Sequence, residues 1–188
     1  MEQLLRRNEG PFELEFSAYT AGERRRIFRR VVAEANEELL MNLLGVLEPD
    51  EELALHSTVW LANGQKRHLP MIDLVGRPDV HLLERLVNVM PPGWELDLSL
   101  YDSGRSYHGY VVRLVDDADW VAFMGRLLLA NHLEEPAVTD WRWIGHRLLK
   151  GYSALRWSCN TSYYRHAPVL LGLTAPPRTS LDDPEYPE

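Results

Sequence analysis

The sequence is poor in cysteine and lacks long apolar runs. Cys159 is the single cysteine among 188 residues, which excludes an internal disulfide and a cysteine-based zinc cluster. No stretch is apolar over the ~20 residues that a membrane-spanning helix needs, and Met1–Arg7 does not resemble the start of a signal peptide. We therefore expect a cytoplasmic protein with no membrane partner.

Basic residues are fewer than acidic ones, 20 against 28, and the formal net charge is −8. An acidic chain argues against a nucleic-acid partner, but the acids are concentrated at the two ends. Residues 1–60 carry 12 acidic and 7 basic side chains, residues 179–188 carry 4 and 0, and residues 61–178 carry 12 and 13. Of the 20 basic residues 18 are arginine, which suits phosphate contacts and stacking on bases. A general preference for arginine explains this composition equally well.

The hydrophobic pattern predicts one domain in which strands and helices are mixed. Helices are predicted over Glu23–Leu44, Pro78–Val89, from Asp116 or Asp117 onward, and over Trp141–Lys150; strands are predicted over Leu53–Leu61, Lys66–Val75, Trp94–Tyr101, Tyr107–Leu114, Ser153–Ser158 and Ala167–Leu173. This order indicates an α+β fold with a sheet covered by helices. We expect residues 1–52 to form an N-terminal helical segment packed on a core of residues 53–174, followed by a disordered acidic tail, 175–188.

A polar turn lies between two of these strands, in the stretch Tyr101–Tyr110. It contains Ser103, Arg105, Ser106 and His108 together with two glycines. Hydroxyls, a guanidinium and backbone N–H groups made accessible by glycine are typical of phosphate-binding turns. Ser-Gly turns are also common in hairpins that bind nothing, so the pattern alone leaves both interpretations open.

Asp73 is a carboxylate in a mostly apolar predicted strand. Alternation places it on one face with Leu69, Met71 and Val75. A charge on such a face is costly unless it is paired or bound to a metal, which makes Asp73 a candidate site residue. The alternative is that Asp73 lies at the exposed end of the strand and caps the segment that follows.

Three stretches, taken in order, resemble the motifs of the archaeo-eukaryotic primase superfamily, the primase-polymerases. Met71–Asp73 resembles the first motif, a strand that ends in acids, and Ser103–His108 resembles the second, a Ser-x-His after a glycine-rich turn. Val138–Asp140 resembles the third, an aspartate at the start of a helix, and Tyr152–Arg156 resembles the Leu-Arg strand that follows it. The resemblance spans about residues 66–172. It implies an RRM-like primase-polymerase core with a mixed or antiparallel sheet and flanking helices.

The resemblance also implies residue roles. Asp73, His108 and Asp140 would be the catalytic residues, and the two aspartates would bind Mg²⁺ or Mn²⁺ together with a nucleoside triphosphate. The implied nucleotide-binding residues are Ser103, Ser106, His108 and Arg156, to which we add Arg105 on electrostatic grounds.

One position departs from the family pattern. The first motif of the family has a second acid two residues after the first, where this chain has Val75. Asp97, in the neighbouring predicted strand, is an alternative metal ligand.

Two functions therefore stay open. The first is a primase-polymerase-like nucleotidyltransferase with an atypical metal site, which binds nucleoside triphosphate and single-stranded or primed nucleic acid. The second is a catalytically inactive nucleotide- or DNA-binding relative, or an accessory subunit of a DNA replication, repair or defence complex. A protein partner would supply modules that the chain lacks. A hydrolase using His108, Asp140 and a serine is a weaker alternative, because no Gly-x-Ser-x-Gly segment is present.

Overall fold

The computed structural model describes residues 11–20, 25–32 and 37–172. Its strands are β1 Phe12–Tyr19, β2 Arg25–Val32, β3 Glu52–Leu61, β4 Lys66–His68, β5 Met71–Leu74, β6 Leu98–Asp102, β7 Tyr107–Val111, β8 Ala154–Arg156 and β9 Val169–Leu170. Its α-helices are α1 Glu37–Leu44, α2 Val80–Val89, α3 Asp117–Leu129 and α4 Trp141–Lys150. This composition confirms the predicted α+β class. None of the helices in the described ranges is both long and apolar enough to cross a bilayer.

The strands form two antiparallel sheets. The first sheet has the order β2-β1-β3-β4, with β8 pairing with β3, and the second has the order β5-β7-β6-β9. The buried apolar side chains form two clusters. One is centred on Phe16 and Leu55 and also includes Met71 and Tyr110 of the second sheet, and the other is centred on Ile72 and Phe123. Because full burial of such side chains stabilises a fold by roughly 1.5–3 kcal/mol each, the two clusters hold the sheets and helices in place.

The predicted helix Glu23–Leu44 is wrong over its first part. Arg25–Val32 is a strand, and it pairs with β1 along its whole length, from Tyr19↔Arg25 to Phe12↔Val32. The apolar spacing that suggested a helix also fits a strand whose Val32 is buried while its arginines lie outside. The described helical part of residues 1–52 is therefore Glu37–Leu44. The division at residue 52 stays a prediction, and the tail 175–188 lies outside the described residues.

The predicted strand Lys66–Val75 is in fact two strands in different sheets. β4 pairs with β3, whereas β5 pairs with β7. The chain passes from one sheet to the other at Leu69 and Pro70. Proline has no N–H to continue the ladder, and the Pro70 carbonyl accepts from the Val111 N–H at 3.0 Å. This crossing brings β5 beside the polar turn.

The predicted strand Trp94–Tyr101 also differs in its first part. Glu95–Asp97 is a 3-10 helix, and the strand begins only at Leu98. Asp97 therefore does not project from the face of a strand.

Candidate functional site

A cleft of about 520 Å³ has walls from both sheets and from α4. β5 and β7 contribute Asp73 and His108, the turn between β6 and β7 contributes Ser103, Arg105 and Ser106, and the segment around α4 contributes Asp140. Arg156 of β8 lines the same cleft. All the predicted site residues except Asp97 thus meet in one place, although they are spread over the sequence from residue 73 to residue 156.

Strand pairing brings Asp73 and His108 together. The two residues are direct partners in the antiparallel register of β5 and β7. Side chains of directly opposed residues point to the same face, with Cβ atoms about 4.5–5.5 Å apart. The two side chains therefore enter the cleft side by side.

Asp140 is held beside Asp73 by its backbone and by α4. Its N–H donates to the Asp73 carbonyl at 3.1 Å. Its side chain caps α4, because Oδ1 accepts from the N–H groups of Arg142 at 2.9 Å and Trp143 at 3.1 Å. The cap fixes the direction of the carboxylate while the backbone bond fixes its place at the end of β5.

Burial, together with the negative charge of Asp140, raises the pKa of Asp73 from its ordinary 3.8 to about 7. The Ser106 hydroxyl, 3.4 Å from Oδ1, and the Arg147 guanidinium lower the pKa of Asp73, but they do not offset the first two causes. A divalent cation between the two carboxylates would relieve their repulsion.

The Ser103–Ser106 turn is held together from within. The Ser103 hydroxyl donates to the Ser106 carbonyl at 2.8 Å and accepts from the Ser106 N–H at 3.2 Å. Gly104 has a φ of +81°, which favours glycine, and its N–H donates to Asp102 Oδ1 at 2.7 Å. Ser103 thus shapes the turn, whereas the Ser106 hydroxyl points toward Asp73.

His108 is a neutral, buried imidazole. Burial, with the nearby positive charge of Arg156, lowers the pKa of His108 to about 3. Its buried Nδ1 has no hydrogen-bond partner within the described part of the chain. A buried polar atom without a partner is costly, and here it lies in a cleft where a ligand could satisfy it.

Arg156 connects the serine turn with the segment after β8. Its guanidinium donates to the carbonyls of Ser103 and Ser158, and its Cζ lies 3.7 Å from the centre of the Tyr164 ring. These contacts give Arg156 a positioning role for the serine turn. Its predicted contact with a triphosphate stays a prediction.

Arg147 is the main residue of the cleft that sequence reasoning missed. Its Nε and Nη1 are buried and lack hydrogen-bond partners among the described residues. Burial, followed by the charge of Arg25, lowers the pKa of Arg147. Arg147 stands seven positions after Asp140, which is two helical turns along one face of α4. That spacing was the signal in the sequence.

Asp97 does not line the cleft, which corrects its assignment as an alternative metal ligand. Its carboxylate accepts from Arg113 Nη2 at 2.6 Å and from Nε at 3.0 Å. Val75, which does line the cleft, is 56% exposed. Among the described residues no group of three or more His, Cys, Asp and Glu side chains could hold a metal ion. Asp73 and Asp140 are the two carboxylates among the described residues that line the cleft.

Comparison with known protein families gives a match that covers most of the chain. The family model described as AEP-like, archaeo-eukaryotic primase 1D-like, matches residues 32–169. No curated protein and no solved structure matches the chain. The matched range includes every residue of the cleft apart from Tyr19 and Arg25.

Proposed function

The chain belongs to the archaeo-eukaryotic primase 1D-like family, and we propose that it is a primase-polymerase-like nucleotidyltransferase. Its substrates would be a nucleoside triphosphate, bound in the cleft, and single-stranded or primed nucleic acid. The observation that carries this proposal is that Asp73, Ser106, His108 and Asp140 line one cleft. A cytoplasmic location and a role in DNA replication, repair or defence stay predictions.

The triphosphate would be bound by groups that have no hydrogen-bond partner elsewhere in the described ranges. Arg147 offers two buried N–H groups and His108 offers one ring nitrogen. A guanidinium provides two parallel donors to phosphate oxygens, and a neutral imidazole adds one directional hydrogen bond. The Ser106 hydroxyl lies at the edge of this group, where it can change its acceptor from Asp73 to a phosphate.

Asp73 and Asp140 would hold one Mg²⁺ or Mn²⁺. When bound, such an ion neutralises charge on the phosphate oxygens during nucleotidyl transfer. Asp73 must lose its proton to act as a ligand, and its pKa of about 7 makes this loss sensitive to neutral pH. The Asp140 carboxylate is already oriented by the first turn of α4.

A second candidate, binding of nucleotide or nucleic acid without transfer, is favoured by Val75. This exposed valine occupies the place of the second acid of the family motif and lines the cleft. A site with fewer carboxylates binds divalent cations more weakly. Triphosphate binding would then persist while transfer is slow or absent.

Incorporation of labelled nucleotides on a primed template, with Mg²⁺ or Mn²⁺, tests the first candidate. We expect metal-dependent incorporation that His108→Ala reduces by about 100-fold or more, because a buried donor to the substrate phosphates is lost. Arg126→Ala, an exposed arginine of α3 outside the cleft, is the matched control and should retain activity.

Calorimetric titration with triphosphate separates the two candidates. Triphosphate binding without incorporation by either metal would support the second candidate, and Val75→Asp should then increase incorporation. A wild-type protein that neither binds triphosphate nor incorporates nucleotide would contradict both.

A further inference from the structure

A second pocket, of about 400 Å³, adjoins the Ser103–Ser106 turn. Arg105 and Ser106 line both this pocket and the cleft, so the two spaces meet at the turn. Its outer wall is formed by the loop after β8, which contributes Tyr163 and Arg165. A ligand that leaves the cleft past the turn would therefore enter this pocket.

Aromatic rings and guanidinium groups alternate along this wall. Buried Arg156 stacks on Tyr164, which lines the cleft, and Tyr164 meets Tyr163 edge-on with ring centres 5.1 Å apart. Arg105 Cζ lies 4.9 Å from the centre of the Tyr163 ring, and Nη1 donates to the Tyr163 hydroxyl. Tyr163 is nevertheless 64% exposed. We call Arg105, Tyr163, Tyr164 and Arg165 the aromatic–arginine platform.

Within the described part of the chain, the positive charge of the platform is not paired with nearby acids. Within the described residues, neither Arg105 nor Arg165 forms an ion pair with a carboxylate. The arginines of β2 differ, because Arg26 pairs with Glu51 and Arg29 pairs with Glu15 at 3.3 Å. The one acid of the pocket, Asp102, accepts from the Gly104 N–H and faces His166 at 3.6 Å. The platform is thus a positively charged surface in a chain whose net charge is −8.

From these contacts we infer that the aromatic–arginine platform binds single-stranded nucleic acid next to the cleft. A base stacks on the exposed Tyr163 ring, the Arg105 guanidinium contacts that ring from within the protein chain, and Arg165 contacts a backbone phosphate. Stacking on aromatic side chains combined with arginine is the usual means of binding single strands without sequence preference. The inference rests on the proposed function, because the platform would hold the strand beside the cleft in which the triphosphate is proposed to bind.

Fluorescence anisotropy with a labelled single-stranded oligonucleotide and the full chain tests the platform. We expect Tyr163→Ala to weaken binding about tenfold, the usual effect of losing one stacked base, and Tyr163→Phe to retain binding because the ring remains. Arg165→Ala should lower the slope of log affinity against log salt concentration by about 0.7, as expected for one lost phosphate contact on a single strand. Arg126→Ala, on α3, is the matched control for loss of one exposed arginine.

Triphosphate binding, measured by calorimetry on the same variants, distinguishes this inference from the proposed function. Tyr163 does not line the cleft, so Tyr163→Ala should bind triphosphate like the wild type. Weakened oligonucleotide binding with unchanged triphosphate binding supports the inference. Wild-type oligonucleotide affinity in both Tyr163→Ala and Arg165→Ala overturns it and leaves the proposed function in place. Absence of triphosphate binding in the wild type, with oligonucleotide binding still dependent on Tyr163, contradicts the proposed function alone.

Discussion

Replacing Asp73 by asparagine should stabilise the folded protein, and it should do so more at high pH than at low pH. The substitution keeps the size of the side chain and removes a charge that is buried beside Asp140. Functional sites commonly retain such unfavourable groups because binding needs them. The unfolding free energy gained by Asp73→Asn therefore measures how much stability the protein loses by keeping this charge in the cleft.

The magnitude follows from the pKa of Asp73. The folded-state pKa, about 7, lies above the ordinary value of 3.8 that applies to the unfolded chain. The folded protein therefore favours protonated Asp73. The stability that this gives to the folded state is fully present below about pH 4 and is lost as the pH rises to about 7. At about 1.36 kcal/mol per pKa unit, the full loss is roughly 4 kcal/mol. The part lost above about pH 5.5 is roughly 2 kcal/mol.

Urea unfolding of the wild type and Asp73→Asn at about pH 5.5 and about pH 8 measures this loss. The stability gained by the variant should be roughly 2 kcal/mol larger at the higher pH. Asp116→Asn is the control, because Asp116 is an exposed helix cap and asparagine caps equally well. A gain from Asp73→Asn that is equal at both pH values, or a loss at the higher pH, would refute the reasoning.

Two further predictions concern the loops around the cleft. Glu52 accepts hydrogen bonds from the Asn160 and Thr161 N–H groups. Glu52→Gln should therefore lower the free energy of unfolding by about 2 kcal/mol and speed hydrogen exchange of those two amides. Glu51→Gln, the control, should leave their exchange unchanged. A Cβ on Gly104 would lie 2.9 Å from the His166 carbonyl oxygen, whereas one on Gly64, also at positive φ, would meet nothing. Gly104→Ala should therefore cost more unfolding free energy in urea than the roughly 1 kcal/mol expected of Gly64→Ala, and equal costs would contradict the contact.

The parts of the site that could be predicted from the sequence depend on local signals. Asp140 precedes a helical pattern that ends at Gly151, and the structure places these residues at the N-cap and the left-handed C-cap of α4. The hairpin of Tyr101–Tyr110 likewise required only alternation around a Ser-Gly turn. Hydrogen bonds between near neighbours determine both features, so their residue types are visible in a short window.

The parts that could not be predicted depend on distant pairing. The segment Arg25–Val32 shows helix-like spacing, but its pairing with β1 makes it a strand and brings Arg25 into the cleft. Tyr19 lines the same cleft from β1. The alternation of Phe12, Leu14 and Phe16 with polar residues was a local signal for β1. Which segment pairs with β1 was not visible, because strand register between distant segments depends on which faces become buried.

The substitution of valine for the second acid changes the charge balance of the cleft. Four arginines line it, Arg25, Arg105, Arg147 and Arg156, beside the carboxylates of Asp73 and Asp140. A triphosphate brings about four negative charges, which a two-cation site neutralises mainly with metal. If a triphosphate binds with at most one cation, the four arginines would neutralise most of its charge, and Arg147 has two buried nitrogens without a hydrogen-bond partner among the described residues. Triphosphate binding should therefore depend less on the metal than transfer does, because only transfer needs charge to be neutralised where it develops at the reacting phosphate.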